Sequence, residues 1–340
     1  MTQNIPDMSK SRIFEFDLLK FLAIFLVICG HSIMHLSSAD RQENMLYGFI
    51  YSFHMPLFML ISGFFSARSM DLAPKDLFKK KFLQLIYPTI TFGLIFFTIN
   101  LIIGWNQFND YKIWMFDMFW FLRSCFLCYI GLFICLKLFR NKKILACLFA
   151  LAISQVLPFY KMTWMFPFFI AGYLLNGSYD WIRKNSYMIL LTTTIAFIVL
   201  FILYSNLLPS DLMQLKSELL NGNFSSLPSF LSFQVARLLI GAMGSLMIMS
   251  IVNIVSSKLK DSKLLITISE YGKHTLGIYI IQTFILEILM SRLLDLTHIN
   301  PLIFNFILVP LISFVVLDIS YMLVRLSKKT QLSHKILWNT

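Results

Sequence analysis

The segment RIFEFDLLKFLAIFLVICGHSIMH, residues 12–35, decides how the chain folds. Its apolar run begins at Leu18 and continues past His31, and Lys20 is the only Lys or Arg within the run. A helix needs about 20 apolar residues to cross the hydrocarbon core of a bilayer, and this run supplies them. No small-residue cleavage site follows it, so we expect the segment to stay in the protein as the first membrane-spanning helix.

Similar apolar runs recur along all 340 residues, which are 58% hydrophobic and only 14% charged. A soluble domain carries about 25% charged residues, so most of this surface is predicted to face lipid. Because helices satisfy every backbone group there, the sequence predicts an all-α, polytopic integral membrane helical bundle of about ten transmembrane helices. The predicted spans are approximately 18–37, 46–67, 82–103, 114–138, 144–159, 162–177, 187–208, 231–256, 274–293 and 302–325.

The distribution of Lys and Arg predicts how these spans are oriented. With the N-terminus placed in the cytoplasm, 22 of the 29 basic residues fall in inside segments and 5 in outside segments. Basic residues concentrate in cytoplasmic loops, so both termini are predicted to be cytoplasmic. We expect one integral membrane domain over 1–340, with short cytoplasmic tails at 1–16 and 326–340.

The net charge of +12 resides mostly in these short connectors. It therefore indicates membrane topology, with the lipid bilayer as partner, and no nucleic-acid partner is expected. The longest outside connector, roughly 208–230, is expected to be a plain loop, with a lid over an outward-facing pocket as the alternative.

Ionisable residues within the spans are the strongest candidates for function, because each is costly at mid-bilayer. On a helix, Lys20 and His31 share one face, separated by roughly 16 Å along the axis. Asp17 lies near that face and His35 is one turn beyond His31. Lys20 alone is explained equally well as an interfacial anchor that reaches the cytoplasmic edge. His31 lies too deep for that, and a structural histidine bonded to a neighbouring helix is its minor alternative. As a functional group, His31 suits proton transfer near neutral pH.

The second span carries YSFHMPLFMLISGFF, residues 51–65, with His54 before a proline that is expected to bend the helix. Ser62 and Gly63 in the same span allow a neighbouring helix to approach closely. We expect His54 to lie at a depth similar to that of His31, which favours a shared site over chance. Further polar side chains in predicted spans are Asp117, Trp120, Arg123, Arg237, Tyr279, Gln282, Glu287 and Asp318.

A metal site is the weaker interpretation of the histidines. His31 and His35 are four residues apart, a spacing that suits two ligands of one ion. The sequence places no convincing third ligand beside them, so no metal is expected. The spacing from His35 to Asp40 matches that of soluble glycerolipid acyltransferases, but Asp40 is predicted to lie in an outer loop.

Taken in order, several segments resemble the membrane acyltransferase-3 family. Its hallmark is a basic residue, ten residues and then a histidine, here Lys20 and His31. The chain is most similar to the polysaccharide O-acetylase type without an attached periplasmic domain. Many relatives have histidine where this chain has Gln282. The other segments that carry the resemblance are FHMPLFMLISGFF (53–65), KKFLQLIYP (80–88), WFLRSCFLCY (120–129), FPFFIAGYLL (166–175) and GKHTLGIYIIQ (272–282).

The resemblance implies transfer of an acetyl group from acetyl-coenzyme A, as acyl donor, to a hydroxyl of a surface or lipid-linked glycan. It implies a multi-pass protein of the bacterial plasma (inner) membrane, and leaves the oligomeric state and a covalent acyl-enzyme open. The site residues expected on this basis are His31, His54, Asp17 and Arg123 for catalysis, Lys20, Lys80, Lys81 and Lys273 for the donor, and Trp120, Tyr279 and Gln282 for the substrate. Trp120 is a second candidate, beside Arg123, for stabilising the oxyanion.

The alternative function is a proton-coupled transporter or flippase for a glycan or a related small molecule. In that case Asp17, Lys20 and His31 are expected to form a proton relay across the membrane. Transporters of this kind often contain repeated halves, and no internal repeat is seen in the sequence.

Overall fold

A computed structural model describes residues 13–37, 44–104, 118–140, 142–156, 160–204, 209–259, 261–294, 296, 298–329, 331 and 337–338. These residues fold into helices and turns, without β-strands in the described ranges. We number the helices α1 Phe14–Leu36, α2 Met45–Phe64, α3 Pro74–Ile103, α4 Trp120–Leu138, α5 Lys143–Val156, α6 Tyr160–Leu175, α7 Tyr179–Lys184, α8 Ser186–Tyr204, α9 Pro209–Leu220, α10 Leu227–Lys258, α11 Lys263–Gly272, α12 Thr275–Leu293 and α13 Pro301–Ser327.

Eight of the helices in the described ranges are long and apolar enough to cross a membrane, namely α1, α2, α3, α4, α8, α10, α12 and α13. The all-α polytopic bundle predicted from the sequence is thereby confirmed. The predicted runs at 144–159 and 162–177 form the shorter helices α5 and α6, of 14 and 16 residues. The count of ten spans and the cytoplasmic termini stay predictions.

Helix α1 is enclosed by other helices. It packs against α2, α10, α11, α12 and α13. Two-thirds of its most apolar 18-residue window is buried, against 28% for α8 and α13. The lysine and histidines of α1 therefore face protein rather than lipid, which is how ionisable groups are kept within a membrane.

Helices α2 and α6 meet through two glycines. A Cβ added to Gly63 would lie 1.9 Å from the carbonyl oxygen of Phe169, and one added to Gly172 would lie 1.9 Å from that of Leu60. Only a residue without a side chain permits such an approach. The close helix approach predicted at Gly63 is confirmed, and its partner is α6.

The connector at 208–230 is not a plain loop, so that prediction is wrong. It contains α9, a helix of 12 residues that packs against α10. Lys216 of α9 is buried and donates a hydrogen bond of 2.5 Å to the hydroxyl of Thr163 on α6. Burial lowers the pKa of Lys216 to about 8. This contact joins the connector to α6.

Candidate active site

A cavity of about 310 Å³ lies where α1, α2, α4 and α12 come together. His31 of α1 and His54 of α2 both line this cavity. The sequence predicted that these two histidines lie at a similar depth. Val27, Met34 and Met55 supply apolar wall. The polar and aromatic side chains in the lining are His31, Tyr51, His54, Trp120, Tyr279 and Glu287.

His31 is held from one side by α12. Its Nδ1 lies 3.2 Å from Nε2 of Gln282 and 3.3 Å from Oε1 of Glu287. An ionised Glu287 accepts a hydrogen bond from a protonated Nδ1, whereas the Gln282 amide donates one to an unprotonated Nδ1, so the two neighbours favour opposite tautomers. The bond to a carboxylate is charge-assisted and stronger. It therefore favours the form with a proton on Nδ1 and a lone pair on Nε2.

The shape of α12 explains how Gln282 and Glu287 reach the same imidazole. Five residues on a regular α-helix turn through about 500°, which leaves the two side chains about 140° apart. Residues Phe284–Met290 instead form a π-helical turn, in which hydrogen bonds connect residues five apart. The turn brings Glu287 beneath Gln282 on one face, and Glu287 also lies 3.9 Å from Nε2 of His35.

His54 has a defined tautomer. Its Nδ1 lies 2.7 Å from the carbonyl oxygen of Ile50, one turn earlier in α2. A carbonyl oxygen only accepts, so Nδ1 carries the proton and Nε2 has the lone pair. The ring of Tyr51 lies 4.6 Å from the His54 ring, in an edge-on contact. His54 thus supplies a second proton acceptor in the cavity.

Helix α4 adds aromatic and cationic groups. Trp120 lines the cavity, its ring lies 6.3 Å from that of Trp164, and Nζ of Lys161 lies 4.3 Å from its centroid. Arg123 is outside the lining but interacts electrostatically with Tyr279, which does line it. The positions expected for substrate binding, Trp120, Tyr279 and Gln282, are therefore gathered around the histidines. Asp117 lies outside the described residues.

Asp17 lies away from the cavity. It is 14 residues before His31 on the same helix, about 21 Å along the axis. Its carboxylate is buried and lies 3.3 Å from Nζ of Lys20. The backbone of Asp17 contacts Gly272, the last residue of α11, where a Cβ would lie 1.8 Å from the Asp17 carbonyl oxygen. Asp17 thus fixes Lys20 and the end of α1.

The four lysines expected to bind the donor separate into two groups. Lys20 and Lys81 line internal cavities. Lys81 is buried, with Nζ 3.7 Å from the centroid of the Tyr129 ring. Lys80 points away from these cavities and is exposed, and Lys273 forms an ion pair with Glu270. Only the first two are placed along a path into the bundle.

Three cavities follow one another through the bundle. The cavity of His31 shares Val27, Met55 and Tyr279 with a narrow one of about 130 Å³ that Lys20 lines. That one shares Ser62, Leu85, Cys125 and Leu276 with a cavity of about 300 Å³ that Lys81, Lys328 and Trp338 line. The series joins the histidines to the end of the bundle that the charge distribution predicts to be cytoplasmic.

Glu287 is the functional candidate that the sequence did not single out. Glu287 was one of several polar residues within predicted spans. Because it is five residues after Gln282, a regular helix would not place both side chains against His31. Within the described part of the chain, no three His, Cys, Asp or Glu side chains are grouped to hold a metal ion. The expectation that no metal takes part stays a prediction.

The bundle, with imidazoles enclosed among its helices, defines a polytopic membrane protein. The family described as an acyltransferase domain matches residues 13–325. The chain belongs to this family, acyltransferase-3, and is a membrane acyltransferase; the resemblance found in the sequence is confirmed.

One curated relative is the nodulation protein NolL of Mesorhizobium japonicum. The two chains are 26% identical over 200 residues, which is 52% of this chain and 51% of NolL. The chain thus spans about half the length of this relative. No solved structure matches.

Proposed function

We propose that this acyltransferase moves an acetyl group from acetyl-coenzyme A to a hydroxyl of a surface or lipid-linked glycan, acting as one domain in a bacterial plasma membrane. The observation that carries the proposal is the cavity in which His31, backed by Glu287, lies together with His54. Paired proton acceptors at a site closed off from lipid suit the activation of a hydroxyl group.

His31 is the catalytic residue in this proposal. Its Nε2 takes the proton from the acceptor hydroxyl as the oxygen forms a bond to the thioester carbonyl carbon. The C–S bond then breaks, and the leaving thiolate takes that proton from the imidazolium. Glu287 stabilises the imidazolium through Nδ1. His54 accepts a hydrogen bond from a neighbouring hydroxyl of the glycan through its lone pair on Nε2, which orients the acceptor.

The carbonyl oxygen becomes negatively charged during the attack and needs stabilisation. Arg123 supplies positive charge beside Tyr279, and the indole N–H of Trp120 is a donor in the cavity lining. Both residues belong to the first turn of α4, so one helix end presents them together.

The series of cavities supports a donor that enters from the basic end. The segment that Lys20 lines, about 130 Å³, is smaller than the ~300 Å³ of ordinary small-molecule sites. A thin pantetheine arm with its acetyl group fits such a passage, whereas a nucleotide does not. The nucleotide therefore stays at the mouth while the thioester reaches the histidines.

The test is a transfer assay with the full chain in proteoliposomes, using acetyl-coenzyme A labelled in its acetyl group and the glycan fraction of the source cells. We expect label to appear on the glycan as a base-labile ester, together with one free thiol per acetyl group. Movement of glycan across the membrane without thiol release would instead support the proton-coupled transporter, in which Asp17, Lys20 and His31 carry protons.

Replacing Glu287 with glutamine should lower kcat about 10²-fold, because the imidazolium of His31 loses its counter-charge while the side-chain shape is kept. The KM for acetyl-coenzyme A should stay unchanged, since Glu287 contacts the imidazole of His31 and does not line the cavities of Lys20 and Lys81 that hold the rest of the donor. Steady-state kinetics in the transfer assay measure both constants. The matched control is Glu15→Gln, which removes a carboxylate paired with Arg183 at the bundle surface. Equal kcat for the two variants would remove Glu287 from the site.

A further inference from the structure

A further cavity of about 670 Å³ lies beside the donor path and has no role in the chemistry described above. It is formed by the end of α13 and by the junction between α11 and α12. Its polar and aromatic lining consists of His274, Asp318, Tyr321, Arg325, Lys328 and Lys329. Lys328 also lines the neighbouring cavity that contains Lys81 and Trp338, so the two spaces adjoin.

The charge of this cavity is strongly positive. Its carboxylate, Asp318, accepts a hydrogen bond of 2.8 Å from the hydroxyl of Tyr271 and faces that tyrosine. Within the described residues, no carboxylate forms an ion pair with Arg325, Lys328 or Lys329. Burial also lowers the pKa of Lys328, as expected for an ammonium group that lacks an anionic neighbour.

Aromatic surface accompanies the cations. The Arg325 guanidinium lies 5.7 Å from the centroid of the Tyr321 ring, and the ring of His274 lies 5.5 Å from that of Tyr321. Nζ of Lys328 lies 5.0 Å from the Trp338 ring. Guanidinium and ring planes of this kind stack on a purine base, while the cations bind phosphate oxygens.

We propose that the cavity of His274, Tyr321, Arg325, Lys328 and Lys329 binds the adenosine 3′,5′-diphosphate part of the acyl donor. The inference rests on the proposed function, since it takes a coenzyme A thioester as the donor. Lys328 then lies at the branch between the nucleotide and the pantetheine arm, which continues past Lys81 towards Lys20. Lys80 and Lys273, expected from the sequence to bind the donor, do not line this cavity.

Two simpler explanations account for part of the observations. Cations at the C-terminal end of a helix are stabilised by its dipole, and a basic cytoplasmic end orients a membrane protein. Neither explains a cavity of nucleotide size, with two aromatic rings in its lining, that adjoins the donor path. The phosphate of an anionic lipid shares the chemistry of the nucleotide phosphates, and the experiment separates these two sources.

The experiment compares the double variant Arg325→Gln/Lys328→Gln with the wild-type chain in nanodiscs of zwitterionic lipid. Calorimetry with coenzyme A, and separately with 3′-dephospho-coenzyme A, gives Kd without relying on turnover. We expect the variant to bind coenzyme A at least about tenfold more weakly, since bonds between charged groups are lost. Wild type should prefer coenzyme A to the dephospho form, and the variant should lose that preference. The control Lys258→Gln/Lys263→Gln removes two exposed lysines and should change neither Kd.

The remaining outcomes count against the inference in distinguishable ways. Unchanged Kd and KM in the double variant, with acetyl transfer intact, would overturn the nucleotide site and leave the proposed function standing. A variant that keeps its Kd for coenzyme A but no longer binds phosphatidylglycerol added to the zwitterionic nanodiscs would make the cavity a lipid headgroup site. A wild-type chain that neither binds coenzyme A nor transfers acetyl would overturn the proposed function together with the nucleotide site.

Discussion

His31→Ala is expected to lower acetyl transfer at least about 10³-fold while the protein still accumulates in the membrane. The variant removes the imidazole that accepts the proton, which Gln282 and Glu287 hold in place in the wild-type protein. The small cavity left by the imidazole adjoins an existing space, so folding should be little affected. Transfer of labelled acetyl to glycan measures activity, and quantitative blotting of isolated membranes measures accumulation.

The matched control for this variant is His298→Ala. His298 is an exposed histidine five residues after the end of α12. Its replacement should leave acetyl transfer within twofold of wild type. His54→Ala provides an intermediate case, since the second proton acceptor is lost and the first remains. Wild-type acetylation by the His31 variant, at equal protein level, would contradict the proposed chemistry.

Gly63→Ala is expected to destabilise the fold by ~3 kcal/mol or more, although it adds only one methyl group. The new Cβ would lie 1.9 Å from the carbonyl oxygen of Phe169, and a backbone atom does not move aside as a flexible side chain does. Helices α2 and α6 must separate to admit it. We expect a Tm in detergent lower by ~5 °C or more, and reduced accumulation in membranes.

Gly177→Ala is the control for the glycine variant. A Cβ at Gly177 meets no atom within 4 Å, so this change should leave Tm nearly unaffected. Gly172→Ala should resemble Gly63→Ala, because its Cβ would lie 1.9 Å from the Leu60 carbonyl oxygen. A Gly63→Ala protein with wild-type Tm would show that the two helices are not in backbone contact.

The sequence was most informative along α1. Lys20 and His31 are eleven residues apart on a regular helix, so their common face followed from helical geometry alone. His54 could be placed beside His31 because both histidines lie within long apolar runs at comparable depth. Ser62 and Gly63 likewise indicated close packing, because small residues mark helix contacts in membranes.

Other parts of the site depended on geometry that the sequence does not specify. Glu287 reaches His31 through a π-helical turn, and no residue pattern in 284–290 distinguishes that turn from a regular one. Lysines within one basic segment looked equivalent as donor ligands, yet Lys81 faces inward while its neighbour Lys80 faces outward. Which of two adjacent residues is buried depends on the partner helices, and these are far away in sequence.

The backbone contacts of Gly63 with Phe169 and of Gly172 with Leu60 have a mechanical consequence. Because their backbones touch at two points, α2 and α6 can neither slide nor rotate past one another. We expect the two helices to move as one rigid unit. His54 on α2 and Trp164 on α6 belong to this rigid unit, so we expect the distance between them to stay constant during turnover. We therefore expect the cavity to open for a bulky acceptor by displacement of the helices around this rigid unit, α4 and α12 among them.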